Sequence, residues 1–262
     1  MLFPAKDLVR FSIEATDGDI GKVDDLFFEE DNWTVRYMVV NTNPWLPGGK
    51  VLISPISIES VDLSEGVVRV DLTKDQIKDA PDIDSSEAIS RQKEEEYHQY
   101  YGFSYYWPFA GYWGHHAYAR DLASLGSDDL ANKVKEQDTE ENEQEGPKLR
   151  SAKELTGDWT GYNIVAYEEA AGNVSNLLIE DKTWKVRYMV VSSSKMFSSK
   201  EVLLSTDWVN EVDWVNGDIH MNVNKEEIEQ APDYETGNPV ERSFEEDLYS
   251  HFKKENYWDR EL

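Results

Sequence analysis

The sequence predicts a mainly β chain made of two tandem small β-barrels, each followed by short helices. Three observations predict it. One long stretch recurs in a single register across most of the chain. Each copy reads as short strands with alternating or doubly apolar faces. Each copy then ends in segments that carry helix-start signals.

The repeat settles the architecture before any local structure does. Trp33-Thr34-Val35-Arg36-Tyr37-Met38-Val39-Val40 returns as Trp184-Lys185-Val186-Arg187-Tyr188-Met189-Val190-Val191, 151 residues further on. The same offset carries Gly21 to Gly172, Leu26 to Leu177, Val61-Asp62 to Val212-Asp213, and Tyr106-Trp107 to Tyr257-Trp258. Residues 13–107 align with 164–258 without a gap. The leading segment Ala5-Lys6-Asp7-Leu8 matches Ala152-Lys153-Glu154-Leu155, with a four-residue insertion in the second copy around Asp158-Trp159. The division that follows is a first domain over 1–107, an aromatic then acidic linker over 108–148, and a second domain over 149–262.

Within a copy, Val23 to Glu29 is apolar-rich and ends in the turn Glu30-Asp31-Asn32. Trp33 to Val40 is rich in β-branched and aromatic residues on both faces, the pattern of a central strand. Val51-Leu52-Ile53, Ser57 to Leu63 and Val67 to Leu72 follow as strands. Thr73-Lys74-Asp75-Gln76 and its counterpart Asn224-Lys225-Glu226-Glu227 have capping-box spacing, so each opens a short helix that stops before Ala-Pro. A second helix is expected from Arg91 to Tyr101, with Tyr97 and Tyr101 on one face, and Leu248 and Phe252 in their places in the second copy. About six strands per copy remove their edges by curling closed.

The run Ala15-Thr16-Asp17-Gly18-Asp19-Ile20-Gly21-Lys22-Val23-Asp24-Asp25-Leu26 is similar to the opening of the PRC-barrel domain, and Trp33 to Val40 and Lys50-Val51-Leu52-Ile53-Ser54-Pro55 continue the resemblance. The second copy departs from it, with Glu168-Glu169-Ala170-Ala171 in place of Asp17-Gly18-Asp19-Ile20. The resemblance implies a docking module for other proteins, as in the reaction-centre H subunit and the ribosome maturation factor. It transfers neither specific role and no functional residue.

Composition narrows the function. The chain of 262 residues has 53 acidic and 26 basic side chains, a net charge of −27. Such a surface repels phosphate backbones, so no nucleic-acid partner is expected. It suits solubility or a protein partner with a basic face. No apolar run approaches the roughly 20 residues of a membrane helix. That excludes a span of this kind but not peripheral association. The N-terminus lacks a signal-peptide pattern, which makes cytoplasm the default. With no cysteine, thiolate metal sites and cysteine nucleophiles are excluded. The five histidines (His98, His115, His116, His220, His251) show no metal-ligand spacing, and Asp17-Gly18-Asp19 lacks the remaining ligands of a calcium loop. No phosphate loop or nucleophile elbow is present. The expectation is therefore no cofactor, no metal and no enzyme.

Two groups of residues stand out. Arg36 and Arg187 sit mid-strand among apolar neighbours, and Asp62 and Asp213 recur with them. A buried arginine needs a counter-charge, so structural ion pairs between these residues are expected. The connector Phe103 to Gly114 is dense in aromatics, and Phe109, Tyr112 and Trp113 have no counterpart in the second copy. They either cover a barrel, join the two barrels, or form a partner-binding site. The resulting reading is a non-catalytic, protein-binding adaptor whose barrels form an intramolecular pseudo-dimer. The alternative is an acidic structural or stress-related protein that binds cations. A reaction-centre-associated or ribosome-maturation-like accessory role ranks below both.

Overall fold

The computed structural model describes residues 1–43, 46, 49–81, 89–107, 111–123, 148–157, 160–193 and 200–260. The first half runs β1 (Leu2–Pro4), α1 (Ala5–Leu8), β2 (Ser12–Ala15), β3 (Gly18–Glu29), β4 (Val35–Asn41), β5 (Lys50–Ile53), β6 (Ile58–Asp62), β7 (Val67–Val70), α2 (Lys74–Lys78) and α3 (Arg91–Tyr101). The second half runs β8 (Leu149–Ser151), α4 (Ala152–Thr156), β9 (Asn163–Ala166), β10 (Glu169–Glu180), β11 (Val186–Ser193), β12 (Glu201–Ser205), β13 (Val209–Asp213), β14 (Asp218–Met221), α5 (Lys225–Gln230), α6 (Arg242–His251) and α7 (Tyr257–Arg260). The chain is mainly β, in two seven-stranded barrel-like sheets with short helices after each.

The hydrogen-bonded order β5-β4-β3-β2-β7-β6 in one sheet is repeated as β12-β11-β10-β9-β14-β13 in the other. β2 pairs with β7 in parallel, whereas its pairing with β3 is antiparallel. The barrels are not closed by hydrogen bonds, which corrects the expectation of a closed sheet. Each path ends at β5 and β6, or at β12 and β13. A 3-10 turn, buried except at Asp207, connects those ends, at Pro55–Ser57 and at Thr206–Trp208. β4 lies between β3 and β5 with Val35 to Val40 all buried, which is why both of its faces read as apolar.

α2 has both capping-box bonds: the Thr73 hydroxyl accepts from the Gln76 N–H, and the Gln76 side chain accepts from the Thr73 N–H. α3 spans Arg91–Tyr101, as its pattern predicts, and ends at Gly102 in the left-handed region. Tyr97 on α3, and Leu248 and Phe252 at the equivalent places in the second copy, are buried.

The compact units depart from the sequence boundaries at their ends. One unit comprises Asp7–Ala152 with Lys182–Lys185; the other comprises Met1–Lys6, Lys153–Asp181 and Val186–Leu262. They are called the N-terminal and C-terminal units below. β1 pairs with β10 of the C-terminal unit, and β8 pairs with β3 of the N-terminal unit. The cause is the length and bend of β3 and β10. Each has 12 residues and two bulges, at Ile20 and Asp24 in β3 and at Ala171 and Ser175 in β10. A bulge kinks a strand and raises its twist. The first part of β3 therefore pairs with β2, and its last turn pairs with β8 on the same side.

Among the described glycines of the N-terminal unit, Gly21 is the most crowded. Its φ is +142°, and a Cβ there would lie 2.0 Å from the Asn41 carbonyl oxygen. Gly18, at φ +131°, has nothing within 4 Å of such a Cβ. Gly21→Ala is expected to destabilise the unit by about 3 kcal/mol or more, and Gly18→Ala by about 1 kcal/mol, from backbone strain alone. Urea unfolding of the two variants measures the difference.

Candidate functional site

Of the first copy's candidates, Arg36, Tyr112 and Trp113 come together beside β4. Arg36 is 1% exposed. Its Nη2 pairs with Glu29 Oε2 at 2.5 Å, and its Nε donates to the same oxygen at 3.0 Å. Nη1 donates to the Tyr112 carbonyl. The guanidinium lies over the Tyr106 ring, 3.8 Å from its centroid, and 4.7 Å from that of Trp113. A guanidinium stripped of water is held here by one carboxylate, one carbonyl and two ring faces.

The expected partners were therefore misassigned. Arg36 pairs with Glu29 across the β3–β4 hairpin, and Arg187 pairs with Glu180 at 2.6 Å in the same way. Asp62 instead holds the β6–β7 turn, accepting from Ser64 Oγ at 2.7 Å and from the Ser64 and Glu65 N–H groups. These bonds, led by the Ser64 hydroxyl, keep its carboxyl below the usual range. Asp213 accepts from the Val215 and Asn216 N–H groups in the equivalent turn. Arg and Asp recur together because both positions are constrained, not because they touch.

A second charge lies deeper. Glu94 on α3 is 0% exposed. Arg91 Nη1 pairs with it at 2.5 Å, and the Tyr37 and Tyr106 hydroxyls donate to it at 2.9 and 2.7 Å. Burial pushes its pKa up, against the pull of Arg91 and the two hydroxyls. The arrangement recurs in the C-terminal unit: Tyr188 and Tyr257 donate to Glu245 at 2.7 and 3.1 Å, Arg242 pairs with it at 3.0 Å, and Arg187 lies 4.1 Å from the Tyr257 ring. Glu29, Arg91 and Glu94 recur as Glu180, Arg242 and Glu245 in the sequence, so a signal existed. It was hidden among 53 acidic residues.

The copies differ where the connector packs. Trp113, with no counterpart, is 1% exposed and donates its indole N–H to the Thr183 carbonyl at 2.6 Å. Tyr112 is half-buried, with Lys185 Nζ 5.2 Å from its ring centroid. Trp113 thus anchors the connector to the N-terminal unit and does not present a partner surface, which corrects that expectation. The reason is its packing: its ring lies against the Arg36 guanidinium and edge-on to Tyr106. Phe109 and residues 124–147, including the acidic stretch Glu136–Glu145, lie outside the described residues.

What this arrangement does chemically is clamp. Glu94 and His98 are both enclosed. The His98 ring faces Tyr105, Tyr106, Trp107 and Phe103, and its Nδ1 meets the Ser104 carbonyl at 3.0 Å. Burial holds its pKa down at about 3. Open ground lies elsewhere: a depression of about 590 Å³ in the C-terminal unit is lined by Ala166, Tyr167, Glu168, Glu169 and α5 residues, with Tyr167 58% exposed. Among the described residues, no group of three or more His, Asp or Glu is placed to hold a metal, and no helix is long and apolar enough to cross a membrane.

Comparison with known proteins agrees with this geometry. The family described as PRC-barrel domain matches residues 1–77 and 155–228. An uncharacterized protein of Deinococcus radiodurans is 36% identical over 93 residues, a match covering 30% of this chain and 33% of that protein. The chain thus spans about a third of the length of that curated relative.

Two outcomes follow. Trp113→Ala should lower the stability of the N-terminal unit by about 3–5 kcal/mol, because it empties a packed site and uncovers Arg36; chemical denaturation followed by hydrogen exchange localises the loss. His98 is neutral when buried, and its folded pKa of about 3 lies below its unfolded value near 6.5. Its contribution is therefore present above about pH 6.5 and is lost as pH falls towards 3. Glu94, whose pKa is raised, acts in the opposite sense. His98→Phe should flatten the acid-side fall of stability in the N-terminal unit. An unchanged pH profile would remove His98 as its source.

Proposed function

The chain belongs to the PRC-barrel family, carrying the domain twice, and from that premise we propose that it is a non-catalytic adaptor binding a protein partner with a basic surface. The observation that carries this reading is the fate of the charges. The groups best suited to chemistry, Glu94, Glu245 and His98, are shut inside. Both mid-strand arginines are neutralised internally by Glu29 and Glu180. The chain as a whole carries a net charge of −27. Such a charge attracts and orients a cationic partner more than it adds raw affinity.

The two copies act as a built-in pair, in place of a homodimer of single barrels. The incorporation of a leading strand from the other copy's sequence into each unit supports this part of the reading. The proposed site of action is the cytoplasm.

Capture by the immobilised full chain tests the proposal. Retained proteins should be enriched in basic ones and should be released as salt rises, because the screening length falls from about 10 Å at 0.1 M to about 3 Å at 1 M. A retained set with no basic bias, or one indifferent to salt, counts against it. Turnover in a broad hydrolase screen, abolished by one carboxylate substitution, would overturn the non-catalytic part.

A further inference from the structure

β1 and β8 are donors of the same kind. Leu2, Phe3 and Pro4 pair with Glu180, Ile179 and Leu178; Leu149, Arg150 and Ser151 pair with Glu29, Phe28 and Phe27. The acceptor residues are related by the repeat offset of 151, so the register is identical. The backbone bond beyond each pair also repeats: Asp181 N–H donates to the Met1 carbonyl, and Glu30 N–H donates to that of Lys148. So does the side chain that follows the bulge at Asp24 or Ser175. Asn176 Oδ1 accepts from the Lys6 N–H at 3.1 Å, and Asp25 Oδ2 accepts from the Ser151 hydroxyl at 2.5 Å.

The edge is thus a built docking site, and it recognises its donor through backbone bonds, one residue after a bulge and one central side chain. That side chain differs between the two sites. At β10 it is Phe3, 1% exposed. At β3 it is Arg150, paired with Glu30 at 2.7 Å. The β10 edge therefore selects an apolar donor and the β3 edge a basic one, which keeps the two from interchanging.

We propose that the β10 edge docks the N-terminal strand of a second copy of this chain, so that two chains exchange β1 reciprocally. Three facts point to a second copy as the occupant. The site already takes a donor that is not contiguous with its own repeat. The donor is a three-residue strand, held by three residue pairs, the flanking Asp181–Met1 and Lys6–Asn176 bonds and one aromatic ring, so it opens without the unit unfolding. A second copy brings the same donor, so every bond lost in one chain is regained in the other. The two net charges of −27 repel each other. The exchanged dimer is therefore scarce at low salt and rises with ionic strength. That is opposite to the salt dependence of the basic-partner reading above, on which this inference does not rest.

The chain has no cysteine, so engineered thiols report cleanly. Pro4→Cys and Leu178→Cys are placed in separate, differently tagged full-length chains, which are mixed at high concentration and oxidised gently across a salt series. The expected result is a disulfide-linked dimer that increases with salt. Adding Phe3→Asp to the Pro4→Cys chain should reduce it roughly tenfold or more, because the donor loses its buried ring. A chain carrying both cysteines should cross-link within itself at low salt, which shows that the variants fold and pair. Cross-linking within that double variant but never between single variants overturns the proposal. So does interchain cross-linking that is indifferent to Phe3→Asp or weakened by salt, and so does a double variant that fails to cross-link.

Discussion

A guanidinium sealed inside the central strand is the constraint on which the rest of each unit depends. Arg36 and Arg187 are almost wholly removed from water. An unpaired charge there would cost several kcal/mol, far more than a small unit can absorb. The strand before must supply Glu29 or Glu180 across the hairpin. The segment after the helix must supply a tyrosine face, and that tyrosine must in turn find an acceptor, which the helix provides as Glu94 or Glu245. Sheet and helix are thereby fastened by a chain of paired charges and hydroxyls. An apolar stripe alone would let the helix slide, whereas each of these bonds is directional.

The first copy carries this arrangement further. His98, at the place of Tyr249, and the connector ring Trp113 extend the aromatic packing over Arg36 and Arg91. In the second copy the Tyr249 hydroxyl reaches the Ser205 side chain instead, and burial leads its pKa up to about 12. The equivalent bond in the first copy comes from Tyr97, whose hydroxyl accepts from the Ser54 N–H. Two duplicated frameworks have therefore solved one packing problem with different side chains. The first solution buries a histidine where the second buries a tyrosine.

The exchanged leading strands set how the chain can be divided. Because β1 completes β10 and β8 completes β3, neither half of the sequence contains a whole unit. Each unit is therefore assembled from both halves of the sequence. The long, twice-bulged strands make this possible, since a straight strand of the same length would pair with one neighbour along its whole side.

The amino-acid sequence by itself determined the duplication, the strand content, the central position of β4, the extent of α3 and the capping of α2. These follow from offsets, alternation and end signals, all of which are local or internal to the chain. It also marked Arg36, Arg187 and Trp113 as special, since a charge or a large ring in an apolar run must be satisfied somewhere. Only the tertiary structure decided which acid answers each arginine, that Trp113 turns inward, and that Leu2–Pro4 completes the other copy's sheet. Periodicity reports which way a side chain points, but not what lies opposite. With 53 acids to choose from, and three-residue strands too short to show a period, those partners emerge only when the bulged strands bend and bring distant segments together.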